Sequence, residues 1–232
     1  MRPQYFLSAL ALAGCASAET HEQGVGVVDS GTGGTEDSGS GSGVPQDAPT
    51  SGGPDSGPGP CTVTTRDLLM NGTFEGAGTG WTAVPIVAND PLVGDNSGGG
   101  IAAHSPTMRA WLGGVAQANA TDRLYQDVMV PASTTMLVLT GFYEVRTGES
   151  GATVYDTGKA EITTTAGTSI EVIKALDNAQ KTTTWTSLDH PFTNLAQMKG
   201  QTVRVHLTTT NDGLNATSFY FDTLHLNATV CE

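Results

Sequence analysis

Asp222 is the carboxylate whose neighbours constrain it most. In the segment Ser218 to Leu226 it shares strand parity with Leu224 and Leu226, so leucines facing a core would carry the charge inward with them. An inward carboxylate is costly unless it meets a cation or a full set of hydrogen-bond donors. Phe219 and Phe221 occupy the opposite parity and are also apolar, which leaves the face open. A second chemistry is stacking on flat rings. Trp185 and Tyr143 are the rings best placed to form an exposed platform, while Glu144 and Arg146 share a strand face with Val138 and Phe142 and read either as groove groups or as a solvated ion pair.

Motifs of covalent and metal-assisted catalysis are missing from the sequence. There is no His-Glu-x-x-His, no Gly-x-Ser-x-Gly and no pair of Cys-x-x-Cys motifs. His104-Ser105 is the one suggestive dipeptide, but neighbours on an extended chain point to opposite sides and so cannot converge as base and nucleophile. Carboxylates are numerous enough that counting does not exclude a glycosidase-like pair. The reading is therefore a non-enzyme.

The elements that must position these residues are strands. Leu124 to Val130, Met136 to Arg146, Lys159 to Thr164, Ser169 to Leu176, Thr182 to Leu188, Thr202 to Thr209 and Ser218 to Leu226 are rich in Val, Thr, Ile, Tyr and Phe and bounded by Gly, Pro, Asn or Asp. Val203, Val205 and Leu207 alternate with Arg204, His206 and Thr208, as in a strand with one buried face. Ala166-Gly167 reads as a hairpin turn. Leu195 to Lys199 is the best helical candidate, at about one turn. Many short strands imply an all-β antiparallel β-sandwich.

Composition divides the chain. Residues 61–232 have the length of a single domain with one sizeable core. Residues 15–60 are mostly Gly, Ser, Thr, Pro and acidic side chains, and cannot bury enough apolar surface to offset ordering, so they read as a disordered tether. A Gly-rich chain of that length spans roughly 35–40 Å, and its repelling charges extend it further. The net charge of -13 is spread over both parts, with sixteen acids against nine bases from Cys61 onward. No Lys/Arg patch exists to displace counterions from phosphates, which argues against a nucleic-acid partner. The domain reads as a monomer.

Residues 1–14 carry Arg2, an apolar stretch from Tyr5 to Leu12 and then small residues, the parts of an export signal and too few apolar residues to span a bilayer. The run Leu12-Ala13-Gly14-Cys15 resembles the lipobox of bacterial lipoprotein precursors. That resemblance implies lipidation of Cys15, a membrane contact made only through the lipid, and location at the bacterial cell surface or outer membrane. Ala16-Ser17-Ala18 also fits ordinary cleavage and free secretion, and this alternative stays open. In an exported protein Cys61 and Cys231, at the two ends of the domain, most simply pair as a disulfide, against the alternative of a reactive or metal-binding thiol pair. The pairing places the first and last strands side by side.

Several ordered motifs resemble a known family. Leu69-Met70-Asn71-Gly72-Thr73-Phe74-Glu75 followed by Gly80-Trp81 is similar to the opening of carbohydrate-binding jelly-roll modules with the galactose-binding-like fold. Ala103-His104-Ser105, Ala110-Trp111-Leu112-Gly113-Gly114, Leu124-Tyr125-Gln126, Gly200-Gln201-Thr202-Val203-Arg204 and Thr217-Ser218-Phe219-Tyr220-Phe221-Asp222 resemble a subgroup appended to secreted bacterial peptidases. The resemblance covers Leu68 to Leu226. It implies an extracellular glycan or glycoprotein as partner, with an envelope protein as the alternative. It also implies a structural calcium held by Glu75 and Asp222, a pair of oxygen ligands suited to a hard cation. The sequence departs from the family at Asp222-Thr223, where two acids are usual. Trp81 and Trp111 fall at motif positions beside glycines and read as packing residues.

Overall fold

The computed structural model describes residues 61–95 and 100–232. The expectations for residues 1–14 and 15–60, including lipidation of Cys15, lie outside the described residues.

Among the described residues there are eleven strands: β1 (Val63–Asp67), β2 (Thr82–Val84), β3 (Val93–Gly94), β4 (Arg109–Gly113), β5 (Arg123–Met129), β6 (Thr134–Thr147), β7 (Thr157–Thr164), β8 (Ser169–Asp177), β9 (Thr186–Pro191), β10 (Thr202–Thr210) and β11 (Thr217–Cys231). They form two antiparallel sheets. One runs β3-β4-β11-β6-β9, with β1 added to the C-terminal half of β11, and the other runs β2-β5-β10-β7-β8. The fold is an all-β antiparallel sandwich of the jelly-roll type. Each of the seven strands expected from the sequence is present. Leu195–Gln197 forms only a short 3-10 turn.

The core between the sheets follows the alternation. From the five-stranded sheet, Leu124, Ile162, Val203, Val205 and Leu207 face inward, and from the other, Leu139, Val145, Phe219, Phe221 and Leu226 meet them, all essentially buried. Packing is close enough that a β-carbon on Gly158 would lie 2.5 Å from the Phe219 ring.

The open question of parity on β11 is answered by a β-bulge. Pairing with β6 shifts register between Asp222 and His225, and Thr223 takes a left-handed φ of 53°. The extra residue flips the alternation, so Phe219 and Phe221 before it and Leu224 and Leu226 after it all face the core. Asp222 therefore lies with Ser218 and Tyr220 on the outer side, and not with the inward leucines. The bulge is held by Gly72, whose carbonyl accepts the Leu224 amide at 2.9 Å.

Cys61 and Cys231 form a disulfide with α-carbons 5.3 Å apart, across 170 residues of sequence. The pair extends the β1–β11 ladder, in which Val63 opposes Cys231 and Asp67 opposes Asn227. First and last strands are neighbours, as the thiol placement required. In the chain-entropy account, closing so long a loop contributes about 5 kcal/mol.

Candidate functional site

Glu75 and Asp222, expected to share a cation, instead clasp one loop. Asp222 Oδ2 accepts the amides of His104 (2.7 Å) and Ser105 (3.0 Å), and Oδ1 accepts the Thr223 amide at 2.6 Å. Glu75 Oε1 accepts the amides of Thr107 (3.1 Å) and Met108 (2.8 Å), and Oε2 accepts the Thr107 hydroxyl at 2.7 Å. All four carboxylate oxygens thus meet donors. Neither side chain leaves the buried oxygen without a partner that a missing ion would. Burial pushes the Asp222 carboxyl above its ordinary range, with the amides of Ser105, Thr223 and His104 pulling the other way. Partial desolvation acts upward on Glu75 as well, but the Met108 and Thr107 donors outweigh it and its pKa falls. In this arrangement each carboxylate caps the backbone of the loop from His104 to Met108.

The opening motif is likewise a folding device. Asn71, at a left-handed φ of 55°, donates through Nδ2 to the carbonyls of Glu75 and Thr79, and its own carbonyl accepts the Trp81 indole at 3.0 Å. Phe74 is fully buried, with its ring centroid 5.0 Å from that of Trp81. Trp111 donates to Ser218 Oγ at 2.9 Å. Both tryptophans pack, as expected.

Tyr143 and Trp185 are not brought together. On β6 the inward residues are Leu137, Leu139, Tyr143 and Val145, so Tyr143 belongs to the core, with the Lys174 ammonium 5.3 Å from its ring centroid. Trp185 lies at the other surface of that sheet. Its indole donates to the Ala102 carbonyl at 3.1 Å and meets the edge of His104, which stacks on Phe142 with centroids 3.6 Å apart. No shared platform exists for these two rings. Glu144 is buried and paired with Arg146, whose guanidinium is partly exposed and also donates to the Thr183 carbonyl at 2.8 Å. The pair is an ion pair, roofed on its acidic side.

The outer face of the five-stranded sheet has the more distinctive chemistry. Register puts Tyr125 on β5, His206 on β10 and Glu161 on β7 in one row across three adjacent strands. Although it points away from the core, the Glu161 side chain is only 5 % exposed. Lys159 Nζ lies 2.8 Å from it and the Ser169 hydroxyl donates to it at 2.6 Å. Desolvation acts upward on its pKa, yet these two donors, with the charge of Lys159, take it below the ordinary carboxylate value. Glu161 is ionised at neutral pH. His206 Nδ1 lies 3.6 Å from Glu161, is buried and makes no hydrogen bond. Burial lowers its pKa, and Arg204, Arg123 and Lys159 add to the effect against the opposing pull of Glu161, so the ring is neutral.

Arg204 completes the row's flank. Its guanidinium carbon stands 3.7 Å from the Tyr125 ring centroid, and two of its nitrogens donate to the carboxylate of Asp127 at 2.7 and 3.0 Å, a bidentate fork. Beside Lys159 and Thr208 a depression of about 440 Å³ opens, lined also by Val154, Asp177 and Thr210. The set offers a fixed carboxylate, a neutral imidazole, a planar guanidinium and one ring. Such groups suit a neutral ligand with several hydroxyls, which can both donate to the carboxylate and accept from cationic nitrogens. Sequence alternation puts Arg204 and His206 on this face, but which residues oppose them depends on register, and so Tyr125 and Glu161 were not foreseen.

No family model and no curated protein matches the chain. Among solved structures, it is similar to a carbohydrate-binding module of family 61 in complex with β-1,4-galactotriose, at 12 % identity and TM-score 0.45, covering 69 % of this chain and 97 % of that one. The family 22 xylan-binding domain of Xyn10C from Paenibacillus barcinonensis is similar at 15 % identity and TM-score 0.37, covering 73 % and 96 %. The K1 cleaved adhesin domain of Lys-gingipain from Porphyromonas gingivalis is similar at 11 % identity and TM-score 0.40, covering 71 % and 97 %.

Proposed function

We propose that this chain is a non-catalytic bacterial surface lipoprotein whose β-sandwich binds an extracellular glycan through the outer face of its five-stranded sheet. Cys15 carries the lipid, residues 15–60 form the tether, and residues 61–232 are the binding module. The observation that carries this reading is Glu161: a charged group sunk into an otherwise solvent-facing sheet, fixed by Lys159 and Ser169, beside an imidazole nitrogen with no partner. A buried imidazole nitrogen that makes no hydrogen bond costs free energy in the absence of a ligand that uses it.

The test is retention of the purified protein in polysaccharide gels and on glycan arrays. Wild type is retained by at least one neutral polysaccharide, and Glu161→Gln, His206→Ala and Tyr125→Ala each weaken retention about tenfold or more, the scale of one lost charge-assisted hydrogen bond. Failure of wild type on a broad panel overturns the reading.

A second reading, a structural or protein-interaction component of the cell envelope, is favoured by one observation. The rings are few and mostly spent: Arg204 covers Tyr125, and Trp81 and Trp111 are engaged in packing. A single stoichiometric envelope protein recovered on the wild-type chain, with no glycan retention, would support it.

A further inference from the structure

At the end of the sandwich where β6 leads to β7 and β10 leads to β11, two loops meet. Glu149 and Asp156 come from the first and Asp212 from the second, and a carboxylate oxygen of each lies within 4.8 Å of the others. Three like charges at this spacing repel unless something positive stands between them. Among the described residues, none of the ion pairs involves any of the three.

Asp156 makes the cluster more than a surface coincidence. It is fully buried; its Oδ1 accepts the Asp212 amide at 2.7 Å, and its Oδ2 is buried with no hydrogen-bond partner. The loop carrying it is clasped. Asn178, itself buried, accepts the amides of Tyr155 (2.8 Å) and Asp156 (3.0 Å) through Oδ1 and donates to the Thr153 carbonyl at 2.7 Å. Asp156 is therefore held within the cluster in a position that leaves one of its carboxylate oxygens dehydrated and unused.

We infer that Glu149, Asp156 and Asp212 form a calcium site. An all-oxygen, all-carboxylate set selects a hard cation and disfavours zinc, which prefers nitrogen and sulfur. Two oxygens each about 2.4 Å from one ion stand at most about 4.8 Å apart, so the spacing suits a shared calcium. Glu149 and Asp212 are half-buried, leaving room for water to complete a shell of 6–8 oxygens. Magnesium demands a stricter octahedron and gives up its waters reluctantly, so it is the weaker occupant. Asp156 directly precedes β7 and Asp212 lies two residues beyond β10, so the ion ties together the ends of the strands bearing Glu161 and His206. The site stands independently of what that face binds.

The experiment is calorimetric titration of the purified full chain with calcium chloride, paired with melting in calcium, magnesium or EDTA. Calcium gives a saturable isotherm and a melting temperature that rises with its concentration, and magnesium gives a much smaller rise. Glu149→Gln and Asp212→Asn, at half-buried positions, each weaken calcium affinity about tenfold or more while the protein stays folded in EDTA. Asp156→Asn abolishes the isotherm; should that variant fail to fold, the other two carry the test. Glu75→Gln and Asp222→Asn leave the isotherm unchanged. Absence of any calcium effect on wild type overturns the inference. So does an isotherm that survives Glu149→Gln and Asp212→Asn, which would place the ion elsewhere.

Discussion

The Leu224 amide donates to the Gly72 carbonyl at 2.9 Å, and a β-carbon on Gly72 would stand 1.7 Å from the Leu224 carbonyl oxygen. This contact joins the opening motif to the bulge that turns Asp222 outward. Backbone stands on both sides, so nothing can yield locally.

Gly72→Ala is accordingly expected to destabilise the protein by about 3 kcal/mol, the upper part of the range for overpacking. Equilibrium unfolding in urea measures it. A loss within experimental error of zero would mean that the bulge is not anchored through this contact.

Because Glu75 and Asp222 clasp adjoining stretches of the loop from His104 to Met108, their effects should not add. Asp222→Asn costs about 1–3 kcal/mol, as for a buried acceptor deprived of its charge, and Glu75→Gln, at a half-buried position, costs about 1 kcal/mol. The double variant should cost less than their sum, because a loop released at one end gains little from its other clasp. Faster hydrogen exchange at His104, Ser105, Thr107 and Met108 accompanies either change. Strict additivity would show that the two carboxylates serve separate elements.

Stability should fall with acid in two stages. His206 has a folded pKa below its ordinary 6.5, so the unfolded chain takes up the proton first and stability is lost as pH falls below about 6.5. Glu161 and Glu75, lowered from 4.5, hold their contribution above that value and lose it as pH falls through their folded pKa values. Asp222, raised from 3.8, opposes the second stage weakly, since the folded form takes up its proton first. The charged neighbours of His206 are Glu161, Arg204, Arg123 and Lys159. His206→Gln should remove the first stage of a melting-temperature profile and leave the second in place.

Reduction of the Cys61–Cys231 bond should lower stability by up to about 5 kcal/mol. Comparing wild type with Cys61→Ser/Cys231→Ser in the presence and absence of reductant checks it. The double variant should show no response to reductant, and equal stability of all four samples would mean that the bond closes no entropically costly loop.

The long strands were legible because alternation such as Val203, Val205 and Leu207 against Arg204, His206 and Thr208 has a direct physical cause. The short strands β2 to β4 were not foreseen; β3 has two residues, and its pairing is imposed by β4 rather than by its own propensity. Tyr143 was misplaced although its parity with Leu137, Leu139 and Val145 marks an inward position. The face of Asp222 stayed open because Phe219 and Phe221 lie in opposite phase to Leu224 and Leu226, and apolar pairs in opposite phase are themselves the sign of an inserted residue between them. The row of Tyr125, His206 and Glu161 depends on how three separate strands align, which local pattern does not encode.

The sulfur bridge also determines how the domain bears tension. A pull arriving at Cys61 crosses directly to Cys231 and enters β11, the longest strand, which is flanked by β6 along one edge and by β4 and β1 along the other. The five-residue β1 is bypassed, so the hydrogen bonds between it and β11 need not resist being unzipped, and the load is shared by a whole sheet.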